Sequence, residues 1–312
     1  MSVLRSLVLV LLCVLGCQPR PPATSAGSGA PGAGELGEVT GSARVNGVSL
    51  HFHERGAGAP IVFVHGSLVD FREWGPVADQ LAGEYRTLTY SRRYNYPNEN
   101  PFAGTDHSAA VEAEDLAALI RARRLGPAHV VGVSYGGYTG LLLALRHPEL
   151  VRSLVVVEPP LIRWLPDLPG GAEPAIAFDQ QLVAPTREAF RAGDSEGALR
   201  ASLEYLAFPG AMDQLPTEIL DLLRANVREW EAIMTSSDAF PRVTREDLGR
   251  LDIPVLVISG ERGLEIARLI DPALANAVPD GERLVIPGGT HDVCSEQPAV
   301  CAGAIREHID GH

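Results

Sequence analysis

The segment Val-Val-Gly-Val-Ser-Tyr-Gly-Gly, residues 130–137, decides the fold of this 312-residue chain. It leads from a short apolar run through the pattern Gly-x-Ser-x-Gly into a helical pattern that extends to Arg146. In such a strand–turn–helix the turn is so tight that its flanking positions must be glycine, and the serine hydroxyl is raised above the sheet edge. The pattern therefore predicts a nucleophile elbow with Ser134 as the candidate nucleophile.

Short apolar runs rich in Val, Ile and Leu lie on both sides of this segment, and they are typical of strands buried on both faces. A hairpin is predicted before them in residues 37–55, because Asn46-Gly47 accepts the positive φ of a type I′ turn. Helical patterns such as 108–124 separate most runs, so we expect an α/β fold with a doubly wound, mostly parallel sheet of eight strands. The runs are 61–64, 86–90, 129–133, 154–157, 255–258 and 283–286.

The alternation of strands and helices stops between residues 161 and 250. This stretch contains helical patterns, such as 187–206 and 216–234, and no convincing strand. A block of helices between two strands of one sheet is best interpreted as a cap over its carboxyl edge. We therefore expect a core of residues 38–160 and 251–312, with a helical cap at 161–250.

The first residues predict export. Arg5 precedes an apolar run, 7–15, that is too short to span a bilayer as a helix, so residues 1–16 are predicted to be a signal peptide. The run ends in Val-Leu-Gly-Cys, which resembles the bacterial lipobox and makes Cys17 the expected lipid-modified N-terminus; an ordinary signal peptide cleaved elsewhere is the alternative. Residues 17–37 are rich in Pro, Ala, Gly and Ser and predict a disordered tether. We expect an exported, membrane-anchored bacterial lipoprotein on the periplasmic or cell-surface side.

Composition limits the remaining functions. A net charge of −13 disfavours nucleic-acid binding, and a mean hydropathy of +0.06 is too low for several membrane spans. Cys294 and Cys301 are the cysteines left in the folded body, either as a disulfide or as two buried thiols. Neither these cysteines nor the histidines have zinc-like spacing, so we expect no metal and no cofactor. The expected partner is a small-molecule substrate, and the sequence gives no oligomeric state.

A serine hydroxyl is a weak nucleophile until a base accepts its proton. His291 follows the last predicted strand in Pro-Gly-Gly-Thr-His, and the order serine, then histidine near the C-terminus, is the one that this elbow uses. The backbone N–H groups of Ser67, after the strand that ends in His65-Gly66, and of Tyr135 are the candidate oxyanion-hole donors.

Four motifs follow in order along the chain: His65-Gly66, residues 132–136, residues 147–152 and residues 289–291. With them, the sequence resembles the α/β-hydrolase superfamily from about residue 37 to the C-terminus. The resemblance implies a triad of serine, histidine and an acid, and an acyl-enzyme route. The leading hypothesis is a serine hydrolase that cleaves a small or medium ester-like substrate. The alternatives are a cofactor-free perhydrolase or haloperoxidase-like enzyme, and a non-catalytic ligand-binding protein on the same fold.

The triad acid departs from the common pattern of the superfamily. The expected aspartate after the penultimate strand is replaced, since that loop reads Gly260-Glu261-Arg262-Gly263. A minority of related hydrolases take the acid from the end of the preceding sheet strand, where this sequence has Glu158. We expect Glu158 to orient His291, with Glu261 as the alternative acid.

Three more residues are candidates for substrate binding. Arg92 and Arg93 follow a predicted strand, and a guanidinium there could hold a substrate carboxylate; a salt bridge to an acidic residue is the alternative. Trp164, near the start of the cap, could line an acyl pocket or pack in the core.

Overall fold

One eight-stranded sheet forms the centre of the structure, a computed structural model that describes residues 37–102 and 106–312. The strand order is β1-β2-β4-β3-β5-β6-β7-β8, which agrees with the predicted fold class. The strands are β1 Glu38–Val45, β2 Val48–Arg55, β3 Pro60–Val64, β4 Arg86–Tyr90, β5 Ala128–Val133, β6 Val151–Val157, β7 Val255–Gly260 and β8 Gly281–Ile286.

The first two strands form the predicted hairpin. They pair antiparallel, and Asn46 and Gly47 between them both have positive φ, 46° and 79°, as a type I′ turn requires. From β3 to β8 the neighbouring strands pair parallel. Because parallel strands end at the same edge, the loops that follow β3, β5, β6, β7 and β8 all open at one edge of the sheet.

Helices cover both faces of the sheet. Val62 and Val64 of β3 face one apolar core, whereas Ile61 and Phe63 face the other, which is the alternation expected of a strand buried on both sides. The α-helices in chain order are α1 Gly75–Leu81, α2 Ala109–Arg123, α3 Tyr135–Arg146, α4 Ala172–Ala177, α5 Ala184–Arg191, α6 Ser195–Leu206, α7 Ala211–Gln214, α8 Thr217–Ala225, α9 Val227–Thr235, α10 Arg245–Leu248, α11 Glu265–Ala275, α12 Val293–Glu296 and α13 Pro298–Asp310. Among the described residues, no helix combines the length and the apolar character that a membrane span requires.

Helices α4 to α10 lie between β6 and β7, where the described chain forms no strand. We call this segment the helical insertion. Each of the two long helices predicted here is in fact two helices. The first breaks before α6, where Gly193 has a φ of 75° and the Asp194 side chain caps the new helix by accepting the N–H of Gly197 at 2.8 Å. The second breaks at Asn226, whose side chain has a role described below.

The predicted signal peptide, Cys17 and residues 17–36 of the predicted tether lie outside the described residues.

The turn around Ser134 predicts a sharp sensitivity to side-chain volume. A Cβ on Gly136 would lie 2.3 Å from the carbonyl oxygen of Val64, so Gly136→Ala is expected to lower the free energy of unfolding by about 1–3 kcal/mol. Gly303→Ala in α13 is the control, because a Cβ there meets no atom within 4 Å and the helix gains up to about 1 kcal/mol. Urea denaturation measures both, and equal effects would contradict the close approach.

Candidate active site

Ser134 lies between β5 and α3 in a backbone conformation that L-residues rarely adopt, with φ 51° and ψ −123°. Its N–H donates to the carbonyl of Val157 at 2.8 Å, which ties the turn to the neighbouring strand β6. Gly132 and Gly136 allow the turn to close: a Cβ on Gly132 would lie 2.5 Å from the carbonyl oxygen of Gly136. The surrounding structure therefore holds a strained residue at the sheet edge, which is common at functional sites.

His291 and Glu158 meet at this edge. The Nδ1 atom of His291 lies 2.7 Å from Oε2 of Glu158, and Oε1 of the same carboxylate accepts the N–H of Gly260 at 2.9 Å. Glu158 follows β6 with a φ of 45°, and it is only 3% exposed. If Nδ1 carries the proton that Glu158 accepts, Nε2 is left unprotonated and able to accept another.

The charge of Glu158 also sets the basicity of the imidazole. Burial alone would lower the pKa of His291, but the hydrogen bond to Glu158 and its charge, with smaller contributions from Asp292 and Glu73, raise that pKa to about 9. The arrangement therefore stabilises a positive imidazolium, the species that forms when histidine accepts a proton from a nucleophile.

The structure also accounts for the missing aspartate. A Cβ on Gly263 would lie 1.9 Å from Oε1 of Glu158, so the Glu158 carboxylate occupies the space that a side chain at position 263 would need. Glu261, the alternative acid, accepts the N–H of Gly288 at 2.8 Å and is exposed. Of the two candidates, the structure brings Glu158 to His291.

In the loop after β3, the N–H of Ser67 is free for a ligand. Glu73 accepts the N–H of Gly66 at 2.8 Å, and Glu229 accepts that of Leu68 at 3.2 Å, whereas the N–H of Ser67 forms no hydrogen bond with any described residue. Tyr135 is the first residue of α3, and the first N–H groups of a helix have no partner within it. Ser67, Ser134 and Tyr135 line the same cavity, as the predicted oxyanion hole requires.

The structure corrects the prediction for Arg92 and Arg93. The Arg92 side chain is 0% exposed; its Nη2 atom lies 2.5 Å from Glu229 and its Nη1 atom 3.5 Å from Glu112. The guanidinium of Arg93 donates to both oxygens of Asp115, at 2.7 and 2.8 Å. Neither arginine lines the cavity, so the structure favours the salt-bridge interpretation for both.

Trp164 is likewise a packing residue. Its indole N–H donates to the carbonyl of Val243 at 2.7 Å, and the guanidinium of Arg245 lies over its ring at 5.3 Å. It does not line the cavity, so it forms no wall of an acyl pocket.

Two residues of the helical insertion hold the loop after β3, and sequence analysis did not find them. Besides accepting the N–H of Leu68, which has a φ of 63°, Glu229 pairs with Arg92 beneath the loop. Asn226, at the break between α8 and α9, donates to Asp70 at 2.9 Å. An acid next to Trp230 in an amphipathic helix only weakly indicates that Glu229 is buried. The partners of Glu229 and Asn226 lie 161 and 156 positions away, and a single sequence does not show such distant contacts.

The cavity at the sheet edge encloses about 160 Å³, and both the core and the helical insertion contribute to it. Its floor carries Ser134, His291 and Glu158. The insertion supplies mostly apolar side chains, namely Phe178, Leu182, Leu203, Leu206, Leu215, Ile219, Leu223, Trp230 and Phe240. An apolar cavity of roughly 150 Å³ holds a benzene ring, so this one accepts a small or medium apolar group.

Just beyond His291, Cys294 and Cys301 form a disulfide whose Cα atoms lie 5.4 Å apart. It links α12 to α13, and Cys301 lies in the same apolar core as Ile286 at the end of β8. The bridge therefore ties the segment after His291 to the final helix.

The family model for the alpha/beta hydrolase family matches residues 61–304. With the fold and the elbow described above, this match shows that the chain belongs to the alpha/beta hydrolase family.

Particular relatives include both hydrolases and peroxidase-like proteins. The 2-(acetamidomethylene)succinate hydrolase of Mesorhizobium japonicum is 25% identical over 84% of this chain and 92% of its own length. A putative non-heme chloroperoxidase of Synechocystis is 26% identical over 79% of this chain and 89% of its own. The crystal structure of carboxylesterase CesB from Bacillus subtilis superimposes with a TM-score of 0.68 at 19% identity, over 89% and 93% of the two chains, which supports the fold.

The pair Arg92–Glu229 predicts a large loss of stability when it is broken. Glu229→Ala leaves the guanidinium of Arg92 buried with only the more distant Glu112, so the free energy of unfolding is expected to fall by about 3–5 kcal/mol. Glu196→Ala, which breaks an exposed ion pair with Arg224, is the control and is expected to change it little. Urea denaturation compares the two, and equal losses would contradict the account.

Proposed function

We propose that this protein is a serine hydrolase that cleaves a small or medium ester-like substrate through an acyl-enzyme intermediate. The observation that carries the proposal is the hydrogen bond between His291 and Glu158 in the cavity that also exposes the strained Ser134. A nucleophile, a base and a group that orients the base are the three parts that nucleophilic catalysis by serine needs.

In the proposed reaction, His291 accepts the hydroxyl proton of Ser134 at Nε2 as Oγ bonds to the carbonyl carbon of the ester. The carbonyl oxygen becomes negative and is stabilised by the N–H groups of Ser67 and Tyr135. As the intermediate collapses, the bond to the alcohol oxygen breaks and His291 donates the proton to it. Water then attacks the acyl group on Ser134 by the same route and releases the carboxylic acid and the free serine.

Glu158 acts in both steps through His291. Its two oxygens are fixed by the imidazole and by the N–H of Gly260, so it holds the ring in one orientation and one tautomer. Its charge compensates the imidazolium each time that His291 carries the extra proton.

A second candidate function is perhydrolysis, in which peroxide replaces water as the acyl acceptor. The similarity to the putative non-heme chloroperoxidase of Synechocystis favours it. The two differ in product, since acyl transfer to peroxide gives a peracid, and a peracid assay with ethyl acetate and hydrogen peroxide separates them.

Ser134→Ala is expected to abolish ester hydrolysis and labelling by a fluorophosphonate probe while the fold is retained, because the hydroxyl makes the covalent bond. Labelled peptides are identified by mass spectrometry, and circular dichroism controls for folding. Labelling of the folded variant at another residue would contradict the assignment, and the absence of labelling in the unaltered protein would favour a non-catalytic binding protein.

Glu158→Gln is expected to reduce kcat by about two to four orders of magnitude with a smaller effect on KM, because the charge is needed as the imidazolium forms. It should also lower the pKa of His291, so the acidic limb of the kcat/KM profile moves to lower pH; activity requires the unprotonated ring and rises with pH through that pKa. Glu261→Gln is the control and is expected to change neither quantity. The reverse ranking would move the acid to Glu261.

The close approach of the Glu158 carboxylate to Gly263 allows a rescue test. Gly263→Asp alone places a side chain where the Glu158 carboxylate lies, whereas in a Glu158→Ala background that space is vacated. The double variant should therefore recover part of the activity that Glu158→Ala loses. No recovery in a folded double variant would show that an acid at position 263 does not reach the imidazole.

We also propose that the protein is exported and anchored by lipid on Cys17. The leader pattern supports this, and a disulfide in the body fits an oxidising compartment. In a bacterial host the protein with its own leader should partition into the detergent phase of a Triton X-114 separation, and Cys17→Ser should move it to the aqueous phase or leave it unprocessed. A variant that is still processed and still partitions into the detergent phase would contradict the lipid anchor.

A further inference from the structure

Two carboxyl groups that the proposed mechanism does not use lie beside His291 in the cavity. Glu73, from the loop after β3, and Asp292 both line it, and the charge of each acts on the imidazole. Oε2 of Glu73 is held by the N–H of Gly66, one residue before the candidate oxyanion donor Ser67. Both acids therefore line the cavity in which an ester would have to bind to reach Ser134.

Among the described residues, the cavity lining has no arginine that could compensate these acids. The remaining walls of the cavity are largely apolar. The sequence has no lysine, and Arg92 is paired with Glu229 beneath the loop. In the lining that the described residues form, His291 is the one basic side chain, and Glu158 already compensates its charge.

The surroundings of these acids disfavour further negative charge. Burial raises the pKa of Glu73 to about 8, against the hydrogen bond from Gly66, and the charge of Asp292 adds to the increase. Burial likewise raises the pKa of Asp292, against the attraction of His291. A substrate carboxylate in the same cavity would lose its hydration for the same reason and would face the charge of Asp292, joined above a pH of about 8 by the charge of Glu73.

Resting on the proposed ester hydrolysis, we propose that the substrate is an ester uncharged in both its acyl and its alcohol part, and that Glu73 and Asp292 exclude esters carrying a carboxylate. The apolar side chains of the insertion bind the hydrocarbon part. The two acids make the reaction centre selective against anions, so that substrate charge as well as substrate size decides turnover.

Three ethyl esters of nearly equal shape test this proposal on the intact protein. Ethyl 4-methylpentanoate ends in two methyl groups, monoethyl succinate ends in a carboxylate of the same shape, and ethyl succinamate ends in an uncharged amide. We expect kcat/KM for monoethyl succinate to be at least about 100-fold below that for ethyl 4-methylpentanoate, with ethyl succinamate between them. Values within about threefold for the charged and the apolar ester would overturn the proposal.

Two variants test the role of the acids. Glu73→Gln keeps an oxygen for the N–H of Gly66. Measured at a pH of about 9, where Glu73 is largely ionised, Glu73→Gln and Asp292→Asn should each raise the ratio of kcat/KM for monoethyl succinate over ethyl 4-methylpentanoate by about tenfold. Glu196→Gln removes an exposed charge of the insertion and should leave the ratio unchanged. An unchanged ratio in both cavity variants would overturn the role of Glu73 and Asp292.

The failure of this inference differs from that of the proposed function. Equal turnover of the charged and the apolar ester, with Ser134 labelled by a fluorophosphonate, contradicts the charge selection and leaves the serine hydrolase intact. Hydrolysis of none of the three esters, with no labelling of Ser134, contradicts both.

Discussion

The rest of the site depends on the close approach of two stretches of backbone at the sheet edge. The elbow touches the loop after β3 so tightly that a Cβ on Gly136 would lie 2.3 and 2.4 Å from the carbonyl oxygens of Val64 and His65. This contact brings Ser67 and Tyr135 to the same cavity as Ser134. Two donors from segments nearly 70 positions apart can then address one oxygen atom without any side chain between them.

The buried charge of Arg92 holds the loop after β3 in this position. Arg92 donates to the carbonyl oxygens of His65 and Gly66 at 3.2 and 3.0 Å, and its charge is compensated by Glu229 and Glu112. A guanidinium is suited to this position because its planar fork can bind several oxygens at once. Since Glu229 belongs to the helical insertion, the insertion supports the loop after β3 as well as lining the cavity.

Local patterns in the sequence predicted the strands, the hairpin and the elbow, because these features depend on neighbouring residues. The sequence also indicated Glu158, but only the structure shows that its carboxylate fills the space of a side chain at position 263. The sequence left two roles open for Arg92, because its partners lie 20 and 137 positions away and a sequence does not show which charges are buried together. Glu73 was missed for a similar reason, since nothing in Phe-Arg-Glu-Trp indicates a carboxyl group in a cavity.

The central claim is that Ser134, His291 and the two N–H groups act on one carbonyl carbon. A crystal structure of the protein inhibited by a fluorophosphonate tests it most directly, because the phosphonyl group mimics the tetrahedral intermediate. The account predicts phosphorus bonded to Oγ of Ser134, its oxygen within about 3 Å of the nitrogens of Ser67 and Tyr135, and His291 still bonded to Glu158. A phosphonyl oxygen directed away from both N–H groups, or His291 bonded to another acid, would contradict it.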